Sequence, residues 1–124
     1  MTRIALVEDN PDNRMLASAI LEELYDIDEY ETGMDALAAF ERAVPVLVLL
    51  DISLPHMDGT EVLRRMRADE RLSAVPVIAL TAHAMAGDRD RYMDMGFDAY
   101  VSKPIVDEQL LLGEIERLLK RDAS

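Results

Sequence analysis

VLVLLDISLPHMDG, Val46 to Gly59, is the stretch whose reading decides the fold. Val46 to Leu50 form an apolar run too short for a helix, rich in side chains that suit a pleated surface and preceded by Pro45. A continuous apolar run of this kind predicts a strand buried on both faces, which is a parallel-sheet strand. Asp51 follows with no polar spacer, at the mouth of the sheet where α/β proteins place their chemistry. On this stretch alone Asp51 is either a site carboxylate or a solvated loop residue or helix cap. Pro55 and the Asp58-Gly59 pair end the loop before a helical pattern begins.

Working outward, the same unit recurs. Arg3 to Val7 is a short apolar run followed at once by Glu8, Asp9 and Asn10. Pro11 and Asp12 suit a first helical turn. From Asn13 to Tyr25 the residues Leu16, Ala17, Ile20, Leu21 and Leu24 recur at helical spacing, with Arg14, Glu22 and Glu23 outside the stripe. Asp28 to Glu31 is a polar strand candidate of the edge type. Thr32-Gly33 turns into a second amphipathic helix containing Met34, Leu37, Ala38 and Phe40 to Ala43. Thr60 to Glu70 predicts a third, with Val62, Leu63 and Met66 inward and Arg64, Arg65 and Arg67 outward. Pro76 opens a strand ending at Thr81. A fourth helix follows from about Met85 to Met95, stopped by Gly96. Phe97 to Val101 is a strand leading into Ser102, Lys103 and Pro104. The last helix, from about Asp107 to Leu119, carries Leu110, Leu111, Ile115, Leu118 and Leu119 on its face.

Strand and helix thus alternate through (βα)5, which predicts a parallel sheet covered on both faces with right-handed crossovers, and the form expected is a doubly wound, five-stranded sheet of flavodoxin-like order 2-1-3-4-5. The 124 residues suit one domain spanning 1–124, with no second, effector domain. A net charge of −12 argues against a nucleic-acid footprint. The absence of cysteine excludes disulfides and thiolate metal sites. No run approaches membrane-spanning length and no signal-peptide pattern is present, so the expectation is a cytoplasmic protein without a membrane partner.

At the switch point of such a sheet the first and third strands are neighbours, which gathers Glu8, Asp9 and Asp51. Three carboxylates in one pocket repel, each close pair by several kcal/mol at an effective dielectric near ~20. Either their pKa values rise or a cation binds, and hard oxygen ligands with water access suit Mg²⁺. The fourth and fifth strands end in Thr81 and Lys103 on the same edge of the sheet. An acid cluster, a hydroxyl and an ammonium together would support phosphoryl transfer onto Asp51, giving an acyl phosphate.

Four separated motifs then carry a family resemblance: VEDN (Val7 to Asn10), LLDISLPHMDG (Leu49 to Gly59), ALTAHAMAGD (Ala79 to Asp88) and AYVSKPI (Ala99 to Ile105). In this order and spacing the chain resembles the CheY-like response-regulator receiver domains, and among them stand-alone receivers of the DivK kind. The resemblance implies Asp51 as phosphoacceptor. Glu8, Asp9, Asp51 and the Ser53 backbone carbonyl would hold Mg²⁺. Thr81 and Lys103 would engage the phosphoryl group, and Tyr100 would be a switch aromatic that turns inward after Thr81 moves. It further implies a cis Lys103-Pro104 peptide, and Ser53 and His83 at the phosphate entrance, where they set the hydrolysis rate. Glu8 stands where aspartate is commoner.

The function expected is a single-domain response regulator of a two-component or phosphorelay system. A histidine kinase or phosphotransfer protein would supply the phosphoryl group, and a downstream target protein would read it. No enzymatic activity is expected beyond self-phosphorylation and self-dephosphorylation. Met15, if outward beside Pro104 and Ile105, would form the docking rim for the partner's helices. Two rivals are weaker. A phosphohydrolase of the haloacid-dehalogenase manner wants an aspartate where Ser53 stands. A receiver-like module independent of phosphorylation usually lacks an acid or the lysine, and both are present.

Overall fold

A computed structural model describes residues 2–82, 87–103 and 107–123. His83, Met85, Pro104 and Ile105, and with Pro104 the expected cis peptide, lie outside the described residues. The elements run β1 (Arg3–Val7), α1 (Pro11–Leu21), β2 (Asp26–Tyr30), α2 (Gly33–Arg42), β3 (Val48–Asp51), α3 (Gly59–Ala68), β4 (Val77–Thr81), α4 (Asp88–Met95), β5 (Ala99–Ser102) and α5 (Glu108–Ala123). The five strands are all parallel and lie in the order β2-β1-β3-β4-β5, the flavodoxin-like order expected.

Period-two alternation along each strand divides the core into two layers. Ala5, Val7, Val48, Leu50, Val77 and Ala79 face α2, α3 and α4, packing on Phe40, Val62, Leu63, Met66 and Tyr92. Ile4, Leu6, Leu49, Ile78, Leu80 and Val101 face α1 and α5, packing on Ala17, Leu21, Leu111, Ile115 and Leu118. Because both faces are covered, β3 and β4 are buried at every position, which is why their sequences read as unbroken apolar runs. β2 forms an edge and carries Asp26, Asp28 and Glu29.

Helix starts follow local capping chemistry. The Asn10 side chain accepts from the amides of Asp12 and Asn13, with Pro11 opening α1. Thr32 accepts from the Asp35 amide, and Asp58 from the Glu61 amide. Gly96 ends α4 in the left-handed region, at φ 115°.

Several expectations need correction. β3 begins at Val48, not Val46, whose side chain is exposed. α1 stops at Leu21, so Leu24 falls beyond the helix and is exposed, as is Leu16. Met34 and Leu110 sit in first turns and point to solvent instead of inward. Arg67 does not point outward. Its guanidinium donates to the carbonyls of Val75 and Gly96, at 2.8 and 2.9 Å, and to Asp98 Oδ2 at 2.9 Å. Asp98 Oδ2 also accepts from the Val77 amide, so one ion pair staples α3 to the start of β4 and to the turn before β5.

The β3–α3 loop is drawn tight beneath the site. His56 has φ 66°, and the Met57 amide donates to the Pro55 carbonyl at 2.7 Å, which is a γ-turn. The Gly59 amide then donates to the Ile52 carbonyl at 2.8 Å. A Cβ at Gly59 would collide with the Asp51 carbonyl oxygen and lie 2.9 Å from the Ile52 Cα, both backbone atoms that cannot rotate away. Gly59→Ala is therefore expected to lower stability by about 2–3 kcal/mol in urea unfolding; an unchanged midpoint would contradict this packing.

Candidate functional site

β1 and β3 lie side by side, Val7 paired with Leu50, so Glu8 and Asp51 leave the sheet as neighbours. Ligand atoms of Glu8, Asp9 and Asp51 all lie within 4.8 Å of one another. Glu8 and Asp51 are each 1% exposed, whereas Asp9 is open to solvent. Lys103, just past β5, reaches across: its Nζ is 3.0 Å from Glu8 Oε1 and 3.0 Å from Asp51 Oδ1. The Lys103 amide also donates to the Thr81 carbonyl at 2.7 Å, which ties the lysine to the end of β4. Thr81 is buried one residue beyond Leu80, the register partner of Asp51. The Ser53 amide donates to Asp51 Oδ1 at 3.1 Å, so two donors converge on that oxygen.

Electrostatics explain the arrangement. Burial, then hydrogen bonding to Asp51, pushes the Glu8 carboxyl from 4.5 up to about 7, although Lys103 pulls the other way. Burial opposes the charge on Lys103, but hydrogen bonds to Glu8 and Asp51 outweigh it and raise its pKa. With all three acids ionised, one lysine leaves the site with two negative charges in excess, which a divalent cation would cancel.

The sheet edge thus brings together Glu8, Asp9, Asp51, Ser53, Thr81 and Lys103. Tyr100 lies on β5, partly buried against the α4 side of the sheet. Its hydroxyl is buried and makes no hydrogen bond of ordinary length among the described residues. Its ring stacks on Tyr92 of α4, with centroids 5.8 Å apart and an interplanar angle of 22°. Arg91 covers Tyr92 in turn, its guanidinium carbon 4.8 Å from the ring centroid. Met15 points outward, with 70% of its surface exposed, on the helix that begins at the acid cluster.

Sequence reasoning missed two participants. Arg14, expected on the outer side of α1, folds back onto the Glu8 carbonyl. Tyr92 read as one residue of a polar helix, and no periodic signal marked it as the shelf under Tyr100. The only hint was its place as the one aromatic residue of α4.

A family model for the response regulator receiver domain matches residues 4–115. The polar-differentiation response regulator DivK of Brucella ovis is 41% identical over 103 residues, covering 82% of this chain and 84% of DivK. Sensor protein GacS of Pseudomonas syringae pv. syringae is 38% identical over 112 residues; these cover 87% of this chain but only 12% of GacS. Among solved structures, the receiver domain of sensor histidine kinase PA1611 from Pseudomonas aeruginosa PAO1 superposes with a TM-score of 0.87 at 36% identity, covering 96% of this chain and 98% of that one. That structure holds a magnesium ion in its active-site cleft. Sheet order, acid cluster, lysine and sequence matches agree: the chain belongs to the response regulator receiver domain family, the phosphoacceptor switches of two-component signalling.

Proposed function

We propose that this protein is a single-domain cytoplasmic response regulator that accepts a phosphoryl group on Asp51 from a histidine kinase or histidine phosphotransfer protein. It would signal by phosphorylation-dependent binding to a downstream protein or by passing the group onward. The observation that carries this reading is the convergence of Glu8, Asp9, Asp51 and Lys103 at one sheet edge. Likeness to DivK along most of both chains supports the single-receiver form. Among the described residues no helix is long and apolar enough to cross a membrane.

The donor set fits Mg²⁺. It offers three carboxylates in close reach, two buried and one facing water, with excess negative charge and no softer ligand among them. Glu8, Asp9, Asp51 and the Ser53 carbonyl would hold the ion. When bound it would supply charge neutralisation to the phosphoryl oxygens. Asp51 attacks phosphorus in line as the P–N bond of a phosphohistidine breaks; the imidazole nitrogen keeps that electron pair and an acyl phosphate forms on Asp51. Lys103, already fixed beside Asp51, pairs with the incoming oxygens at no cost in reorganisation. Water then hydrolyses the acyl phosphate, and Ser53, exposed at the mouth, would set its access together with His83.

Output would run through Thr81 and Tyr100. A phosphoryl group adds about −1.5 to −2 charge and three acceptor oxygens, which draw Thr81 toward Asp51. The Tyr100 side chain, stacked on Tyr92 and with its buried hydroxyl free of any hydrogen bond of ordinary length among the described residues, is the group that such a movement would repack. Intact mass after incubation with a small phosphoramidate and Mg²⁺ tests the reading. One added phosphoryl group supports it, and none sinks it.

Two further results are expected. The proton on Glu8 must leave before the carboxylate can ligate, so Mg²⁺ affinity should rise with pH until Glu8 is ionised near 7. By calorimetry, binding should be about tenfold tighter at about pH 8 than at about pH 6. Without metal the sign reverses. The folded protein retains between 4.5 and about 7 a proton that the unfolded chain has lost, so stability falls as pH rises through that window. Glu8→Gln should flatten both profiles. For docking, Met15 is proposed as part of the partner-facing rim, along with Pro104 and Ile105. Met15→Glu should slow phosphotransfer from a protein donor by about tenfold while leaving uptake from the small donor intact. Equal loss of both would remove Met15 from the docking surface.

A further inference from the structure

Arg14 lies in the first turns of α1, and only 17% of its side chain is exposed. Its Nη1 donates to the main-chain carbonyl of Glu8 at 2.9 Å, and its Nη2 approaches Glu31 Oε1 at 3.5 Å. The helix does not need this side chain for its own start. Asn10 already caps the amides of Asp12 and Asn13, and the Arg14 amide donates to the Asn10 carbonyl at 2.9 Å.

What the guanidinium fixes is the peptide between Glu8 and Asp9. The residues around that peptide are held by other means: the Glu8 amide donates to the Tyr30 carbonyl at 3.0 Å, and the Asn10 amide donates to Glu8 Oε2 at 3.3 Å. Rotation of the Glu8–Asp9 peptide plane is opposed by Arg14. Asp9 is the exposed member of the acid cluster, so its aim toward Glu8 and Asp51 depends on the backbone that carries it. From this geometry we infer that Arg14 is a positioning residue for Mg²⁺, locking the Glu8–Asp9 peptide so that the Asp9 carboxylate stays aimed at the cluster. The inference rests on the proposed reading of that cluster as a Mg²⁺ site.

A purely electrostatic role for Arg14 predicts the opposite sign, which makes the inference testable. A nearby positive charge repels a second cation, so its removal would tighten Mg²⁺ binding. Loss of a positioning hydrogen bond weakens it, as loss of an outer partner of a metal ligand commonly does, by about tenfold or more. The experiment is calorimetric Mg²⁺ titration of wild type, Arg14→Ala and Arg14→Lys, with thermal unfolding of each in the absence of metal. The expected result is a Kd raised about tenfold in Arg14→Ala and partly recovered in Arg14→Lys, which keeps a donor. Metal-free melting should be little changed, and the slower phosphoryl uptake of Arg14→Ala should be overcome by raising Mg²⁺. Affinity that is unchanged or tighter in Arg14→Ala overturns the inference and leaves the phosphoacceptor reading standing. So does a loss of affinity matched by a drop in metal-free melting temperature. A wild-type protein that binds no Mg²⁺ overturns both.

Discussion

Asp51→Asn will take up no phosphoryl group from a small phosphoramidate under conditions in which the wild type gains one. The change removes the oxygen proposed as the nucleophile and leaves its surroundings nearly intact. Asparagine keeps an acceptor for the Ser53 amide, and Lys103 keeps Glu8 at 3.0 Å. Stability should therefore move little, while the rate of incorporation falls by about 10⁴-fold or more, as when a reacting nucleophile is deleted. Intact mass spectrometry alongside circular dichroism reads both quantities. A folded Asp51→Asn protein that still gains phosphate would place the acceptor elsewhere and undo the mechanism.

Lys103→Ala should show the second large effect, on stability and chemistry together. Glu8 and Asp51 are each 1% exposed, and the lysine is the cation both share. Removing one member of a buried ionic group typically costs about 3–5 kcal/mol, because a charge is left without compensation. Here the cost has a release. Glu8 already titrates near 7, and without the lysine it holds its proton more firmly, so it can go neutral. The variant should be less stable than wild type by about 3 kcal/mol at about pH 8 and by less at about pH 6. Added Mg²⁺ should restore part of the loss. Phosphoryl uptake should slow by about 10²-fold, the usual size for a fixed charge removed from a transition state. Urea unfolding at both pH values, with and without Mg²⁺, checks the first claim, and a mass time course checks the second. A variant as stable and as reactive as wild type would show that the lysine only decorates the site.

What the sequence made legible follows from how parallel sheets are built. Strands covered on both faces must be apolar throughout, so β3 and β4 announce themselves. A polar residue directly after such a run has to sit at the sheet mouth, which is why Asp51 and Thr81 could be placed. Alternation gives the parallel sheet and its crossover handedness, and the flavodoxin-like order then brings Glu8 to Asp51. The parts that were not legible share a different cause. Periodicity assigns a face to a Cα, not a destination to a long side chain. Arg14 and Arg67 sit at polar positions of their helices, yet their flexible stems carry the charge back to backbone carbonyls. Met34 and Leu110 fail for the converse reason. They have apolar side chains but sit off the faces that bury Ala36 and Phe40 in α2 and Leu111, Ile115 and Leu118 in α5. The Tyr92–Tyr100 stack joins two elements through a contact that neither element's own pattern encodes.

The acidic edge strand bears on how the protein behaves in a crowd. β2 offers its outer backbone to any passing chain, and such edges are where sheets of separate molecules fuse. Of the three carboxylates on its five residues Asp28 is paired with Arg3 at 2.7 Å, yet acids still outnumber bases along that margin, and two copies approaching edge to edge would bring six acids together. Repulsion of that kind disfavours pairing of two copies along this edge.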